Sequence, residues 1–189
     1  TRVLAFFFFF KTIAITIVGL GPGDGRYLTR EAWRVLEAAE TIVVRTAQHP
    51  AVADLPEGAN VIALDGIYES AAIFEQVYAR IVDEVLAMGR IANDTAEVIY
   101  AVPGHPLVGE STVTGILAQA QADGLAVRIV DGLSFLEPTL TAVGQDALDG
   151  LQLFDALEIA GYNHPPLNSD LPALLGQLYD RMVAGEVKL

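Results

Sequence analysis

The chain has no cysteine among its 189 residues, which excludes disulfide bonds, thiolate zinc sites and cysteine nucleophiles. Lysine is nearly absent, since the sequence contains only Lys11 and Lys188. With a net charge of −13, this scarcity excludes a polybasic membrane patch and argues against a nucleic-acid surface, which needs clustered Lys and Arg. Hydrophobic residues make up 52% and charged residues 19%, a balance that excludes disorder. The composition predicts a soluble, acidic, cytoplasmic enzyme or binding domain.

The amino-terminal segment is unusual, because residues 6–10 are five consecutive phenylalanines. This apolar run is shorter than the roughly 20 residues that span a bilayer. Lys11 interrupts it and no small-residue cleavage site follows, which disfavours a signal peptide. We expect the run to be an artefact of expression, translation start or gene model, and the fold to begin near Thr12.

Apolar runs rich in β-branched residues alternate with helical patterns along most of the chain. Strands are predicted at residues 13–20, 41–45, 61–64, 98–102 and 126–130, and helices at 29–39, 70–88 and 111–122. Such an alternation of strands and helices predicts a parallel α/β sheet. Ligands of such sheets bind at the carboxyl ends of the strands, where the glycine-, proline- and histidine-rich loops of this chain fall.

The pattern changes after Asp131, and a second domain is predicted there. An apolar helical stretch runs to about Val143, and an amphipathic helix is predicted from Asp170 to about Ala184. A further strand is predicted to open at Val187. We therefore expect an N-terminal α/β domain over residues 12–131 and an incomplete second α/β domain over residues 132–189, truncated at its C-terminus.

The first predicted strand runs into a glycine-rich loop at residues 19–25, which holds four glycines and Pro22. Asp24 occupies the place of the third glycine of a dinucleotide-binding fingerprint, and the chain has no Gly-Lys pair for a P-loop. A tight turn is the simplest explanation of these glycines. Their density favours a close approach of a ligand to the backbone.

Three segments, taken in order, resemble the tetrapyrrole (corrin/porphyrin) methylase family. They are residues 18–24, 100–108 and 131–135. The second corresponds to the family's Gly-Asp-Pro loop, with His105 where aspartate is usual. Residues 43–50 most resemble the YabN-type branch, in which a methylase-like domain precedes a MazG nucleoside triphosphate pyrophosphohydrolase.

The resemblance implies two α/β domains that hold S-adenosylmethionine in the cleft between them, usually in a homodimer. Carried over by position, the residues that border the cofactor are Pro22, Pro103, Gly104, His105, Val108, Ser134 and Phe135, with Pro103 and Gly104 offering backbone to its methionine part. Methyl transfer from a sulfonium depends mainly on positioning and requires no metal. The implied substrate is a small molecule, with a tetrapyrrole as one candidate.

Several side chains keep two interpretations. Asp24 either orients or deprotonates a substrate group or caps a helix. Arg45 either binds a substrate carboxylate through its fork of donors or is a solvated surface residue. The three histidines each precede proline and lack ligand spacing, so no metal site is predicted.

Two functions of different classes remain. The first is an S-adenosylmethionine-dependent methyltransferase. The alternative is a non-catalytic S-adenosylmethionine-binding or regulatory domain whose partner is a C-terminal MazG domain absent from this chain. MazG chemistry uses a Glu-Glu-x-x-Glu cluster, and the sequence has no adjacent glutamates. A methylase that acts on a translation factor or on ribosomal RNA would share the fold, but RNA fits poorly with a charge of −13.

Overall fold

The computed structural model of the chain describes residues 12–69, 74–92, 97–179 and 181–187. These residues form two compact units that divide between Leu133 and Ser134. Within the described ranges no helix is both long and apolar enough to cross a bilayer. The phenylalanine run lies outside the described residues, as does all but the first residue of the strand predicted to open at Val187.

The first unit is built on a five-stranded sheet. Its strands are β1 (Ile13–Gly19), β2 (Thr41–Val44), β3 (Asn60–Ala63), β4 (Val98–Val102) and β5 (Ala126–Val130). Their order is β3-β2-β4-β1-β5, and every neighbouring pair is parallel. Gly19 of β1 lies opposite Val102 of β4, and Val18 lies opposite Val130 of β5. The carboxyl ends of these three strands therefore meet at one edge, and the predicted parallel sheet is confirmed.

Helices cover both faces of this sheet, as continuous apolar strands require. They are α1 (Arg30–Glu37), α2 (Asp65–Glu69), α3 (Phe74–Ala92) and α4 (Ser111–Asp123). Because successive side chains of a strand point to opposite faces, Val18 packs with the α1 side of the core, and Ile17 with the α3 and α4 side. Of the helix predicted at residues 70–88, the described part begins at Phe74.

The second unit contains a smaller parallel pair of strands. Its elements are α5 (Leu136–Val143), β6 (Gln152–Asp155), α6 (Ala156–Ala160), β7 (Ala173–Gly176) and α7 (Arg181–Glu186), and β6 pairs with β7. The helix predicted from Asp170 to Ala184 is therefore wrong over its first half. The run Ala-Leu-Leu-Gly is too short for its periodicity to separate strand from helix, and pairing with β6 decides its structure.

Candidate functional site

The loops that follow β1, β4 and β5 meet through their backbones. The Gly21 amide donates to the Gly104 carbonyl at 3.2 Å, and the Gly104 amide donates to the Gly21 carbonyl at 2.8 Å. A Cβ atom added at Gly19 would lie 2.6 Å from the Gly104 carbonyl oxygen, and one added at Gly132 would lie 2.4 Å from the same atom. Glycine is needed at both positions because the backbones approach too closely for any side chain. We call this meeting point of Gly19, Gly21, Gly104 and Gly132 the loop junction.

Protein atoms also surround the remaining glycines of the first loop. A Cβ at Gly21 would lie 2.7 Å from Tyr27, and one at Gly25 would lie 2.8 Å from the Asp54 side chain. Contacts within the protein thus suffice to explain these glycines, and the approach of a ligand to this loop stays a prediction. Gly104 differs, since its φ is +68° and a Cβ there would meet nothing within 4 Å. The loop after β4 thus presents open backbone surface at this residue.

The His105 side chain lies between the loop after β4 and the residue that follows β5. Its Nδ1 accepts a hydrogen bond from the Leu107 amide at 3.0 Å, so the proton of the neutral ring is assigned to Nε2. Nε2 lies 3.5 Å from Oδ1 of Asp131. The Val108 amide donates to the His105 carbonyl at 3.0 Å. The amides of Gly104, Leu107 and Val108 are all bonded within the protein, so the loop has a defined shape of its own.

Asp24 caps the short 3-10 helix Gly25–Tyr27. Its Oδ1 accepts from the Arg26 amide at 3.1 Å, and its Oδ2 lies 3.0 Å from the Arg26 guanidinium. Hydrogen bonds from the side chain and the amide of Arg26 lower the pKa of Asp24, which makes its carboxylate a weaker base. The geometry therefore favours the capping interpretation of Asp24 over proton abstraction.

Arg45, which follows β2, forms a buried ion pair with Glu110. The two side chains are 18% and 2% exposed, and Nη1 of Arg45 lies 2.8 Å from Oε2 of Glu110. Burial opposes the charged form of Arg45, but the Glu110 carboxylate favours it, and the pKa of Arg45 is raised overall. Arg45 is therefore not a solvated surface residue. Because Glu110 already neutralises its charge, Arg45 is also poorly suited to bind a substrate carboxylate.

Sequence reasoning missed Glu110 and assigned no role to His49. Both contact the loops at the carboxyl edge. Burial lowers the pKa of His49, and the nearby backbone of Gly21 acts in the opposite direction. Arg45 follows β2, and Glu110 comes after the loop that follows β4. No local sequence pattern reveals that these two strands are neighbours in the sheet.

In the second unit, Ser134 and Phe135 stand at the start of α5. Ser134 is 3% exposed. Its hydroxyl accepts from the Leu136 amide at 3.0 Å and donates to Glu137 at 2.8 Å. The ring of Phe135 packs on β7, since a Cβ at Gly176 would lie 3.1 Å from it. Both residues thus have structural partners inside this unit, and their predicted place beside a cofactor stays a prediction.

Pro22 and Pro103 are half-buried in the loops that follow β1 and β4. Within the described residues, no group of three His, Asp or Glu side chains has an arrangement that holds a metal ion.

Comparison with known proteins decides the family. Residues 14–181 match the family model described as Tetrapyrrole (Corrin/Porphyrin) Methylases. The chain belongs to the tetrapyrrole methylase family. It is 38% identical over 176 residues to the protein of Bacillus subtilis (strain 168) named Uncharacterized protein YabN, and this match covers 93% of the chain and 35% of that protein. The chain thus spans about a third of the length of this curated relative.

Solved methyltransferase structures share the fold. Uroporphyrin-III-C-methyltransferase from Thermus thermophilus is 24% identical with a TM-score of 0.54, over 75% of this chain and 60% of that one. The cobalt precorrin-4 methyltransferase CbiF is 18% identical with a TM-score of 0.54, over 82% and 60% of the two chains. A Thermus thermophilus enzyme structure complexed with S-adenosylhomocysteine is 22% identical with a TM-score of 0.50, over 75% and 55%. At these identities the likeness establishes the fold.

Proposed function

We propose that this chain binds S-adenosylmethionine and acts as a methyltransferase of the tetrapyrrole methylase type. The observation that carries the proposal is the open backbone at Gly104. This residue lies in the loop that corresponds to the family's Gly-Asp-Pro segment, and a Cβ there would meet no atom within 4 Å. It also lies at the carboxyl edge of a parallel sheet, where ligands of such folds bind.

The residues around Gly104 fit such a ligand. The Gly104, Leu107 and Val108 amides are bonded inside the protein, so the loop needs little ordering when it binds. Pro22 and His105 lie on the two loops joined at the junction and would border the ligand. S-adenosylmethionine, when bound, supplies an electrophilic methyl group, and the part of this chain is to orient it toward an acceptor.

The finer points implied by the family resemblance belong to the same proposal. They are an inter-domain cleft for the cofactor, with Ser134 and Phe135 on the side of the second unit, a homodimer, and a small-molecule acceptor such as a tetrapyrrole. Two units of α/β structure, each described above by itself, are compatible with this arrangement.

A non-catalytic cofactor-binding or regulatory domain, associated with a MazG-type partner, is the second candidate. The engagement of Asp24 as a cap favours it, because the carboxylate predicted to act on the substrate is held by Arg26. A methyl-transfer assay on porphyrinogens separates the two candidates, since only the first predicts turnover.

Titration calorimetry with S-adenosylmethionine and S-adenosylhomocysteine tests the binding proposal. Gly104→Ala places a methyl group in the proposed cofactor position, and we expect at least a tenfold loss of affinity, about 1.4 kcal/mol. Gly58→Ala is the matched control, since Gly58 also has a positive φ, +93°, and open space around an added Cβ. The control should bind as the wild type does. No binding of either compound by the wild type at millimolar concentration would refute the proposal.

A further inference from the structure

Glu110 directly follows the loop of residues 103–109 and is the N-cap residue of α4. Its Oε1 accepts from the Thr112 hydroxyl at 2.6 Å and from the Thr112 amide at 3.2 Å. Its Oε2 faces Arg45 at 2.8 Å. The buried carboxylate of Glu110 therefore caps α4 and also pairs with the cation of Arg45, which follows β2. The amino end of α4, and with it the end of the loop, is attached to the sheet through this side chain.

Two elements other than the α4 end fix the position of Arg45. Its amide donates to the Ala101 carbonyl of β4 at 3.0 Å. Its guanidinium carbon lies 5.4 Å from the ring centroid of Tyr78 on α3, a cation–π geometry. β4 and α3 thus set the position of the Arg45 charge, and the Glu110 carboxylate must lie where it can pair with that charge.

The pair is poorly designed for stability alone. The Nε atom of Arg45 is buried and has no hydrogen-bond partner within the described residues, which carries a desolvation cost. Apolar replacements of buried ion pairs are often as stable as the pair they replace. Apolar side chains that replace such a pair do not fix the relative orientation of the two segments they join. Charge-assisted hydrogen bonds do fix it, because they have a preferred geometry.

We propose that the Arg45–Glu110 pair is a positioning device that holds the loop of residues 103–109 in the shape that receives the cofactor. This inference rests on the proposed function for the identity of the ligand. Arg45 and Glu110 act through the loop and need not touch the ligand. A merely structural pair would change stability and leave the loop unaltered, so the two roles are separable.

The test is the double variant Arg45→Met/Glu110→Gln. It removes both charges together, and the glutamine keeps an oxygen that can accept from Thr112, so the fold should be retained. The matched control is Arg90→Met/Asp123→Asn. Arg90 on α3 and Asp123 at the last residue of α4 form an ion pair at the opposite end of the helix that Glu110 caps, with Nε 3.0 Å from Oδ2. Amide hydrogen exchange by mass spectrometry and S-adenosylhomocysteine titration are measured on both variants and on the wild type.

We expect exchange of the 104–110 amides to be at least tenfold faster in the double variant, with β1 and β4 amides unchanged. Affinity for S-adenosylhomocysteine should fall at least tenfold, and the control should match the wild type in both measurements. Unchanged exchange in the folded double variant overturns the proposal, and so does faster exchange with unchanged affinity. If the wild type does not bind S-adenosylhomocysteine, that failure belongs to the proposed function, and loop exchange alone then decides whether the pair positions the loop.

Discussion

Two ion pairs lie on neighbouring loops at the same edge of the sheet, and they differ in almost every physical respect. Asp24 and Arg26 are two residues apart, with side chains 40% and 85% exposed. Arg45 and Glu110 are far apart in sequence and buried. The first pair shapes a single turn, whereas the second joins the residue after β2 to the start of α4.

The difference shows where the fold depends on charge. An exposed pair contributes little, because water screens it and two flexible side chains must be ordered. A buried pair has a small net effect while both partners are present, but removal of one partner leaves a charge in a medium of low polarity. The loop after β1 should therefore tolerate changes of charge, and the loop after β4 should not.

The largest expected effect comes from Arg45→Met alone. It leaves the buried Glu110 carboxylate without its cation, and we expect the free energy of unfolding to fall by about 3 to 5 kcal/mol. Urea denaturation measures the loss. The double variant with Glu110→Gln should recover most of it, because both charges are then gone. A single variant within about 1 kcal/mol of the wild type, the upper range for an exposed pair, would show that the buried and exposed pairs are equivalent.

A smaller effect is expected where the two loops meet. Gly132→Ala places a Cβ 2.4 Å from the Gly104 carbonyl oxygen, so the backbones must separate, and we expect a loss of about 1 to 3 kcal/mol in urea denaturation. Gly66→Ala on α2 is the control, because an added Cβ there meets nothing within 4 Å. Alanine is also the better helix former, so this control should be at least as stable as the wild type. Equal stability of the two variants would show that the loop junction is not tightly packed.

The sequence predicted the sheet because buried parallel strands leave a continuous apolar signal. All five strands of the first unit lie within about a residue of their predicted positions, and short strands bounded by glycine and proline are easily found. The helix predicted over β7 was wrong because a four-residue apolar run takes its structure from its pairing partner. Local patterns carry no information on that partner.

The candidate site was predictable only in part. The predicted strand ends were enough to locate the loop that contains Gly104 and His105, because this loop directly follows a strand in the sequence. The partner of Arg45 depends on which strands lie side by side, and the crowding at Gly19 and Gly132 depends on three loops at once. Both are long-range properties. The same limit explains why the close packing of Gly21 and Gly25 against Tyr27 and Asp54 was not predicted.

The smallest expected effect is that of Asp24→Asn. Asparagine is a good capping residue, so the 3-10 helix should persist and the urea midpoint at neutral pH should change little. The pKa of Asp24 is lowered from 3.8 by its hydrogen bonds to Arg26. A carboxylate whose pKa is depressed in the folded state stabilises the protein above its unfolded pKa, and this stabilisation is lost as pH falls through the folded value. The small difference between wild type and variant should therefore be constant at neutral pH and shrink as the pH falls below about 5 and through the lowered pKa of Asp24.

The same variant decides the role of Asp24 in any reaction. If Asp24 only caps the turn, Asp24→Asn should keep wild-type affinity for S-adenosylhomocysteine and a wild-type methyl-transfer rate, because an amide caps as well as a carboxylate but is no base. A rate reduced a hundredfold or more, the scale of lost general-base catalysis, with unchanged affinity would contradict the capping interpretation. It would mean that the exposed pair takes part in the reaction, and the buried pair of Arg45 and Glu110 would then no longer be the more important of the two. Thermal melts at each pH provide the control, since they show that the variant is folded under the assay conditions.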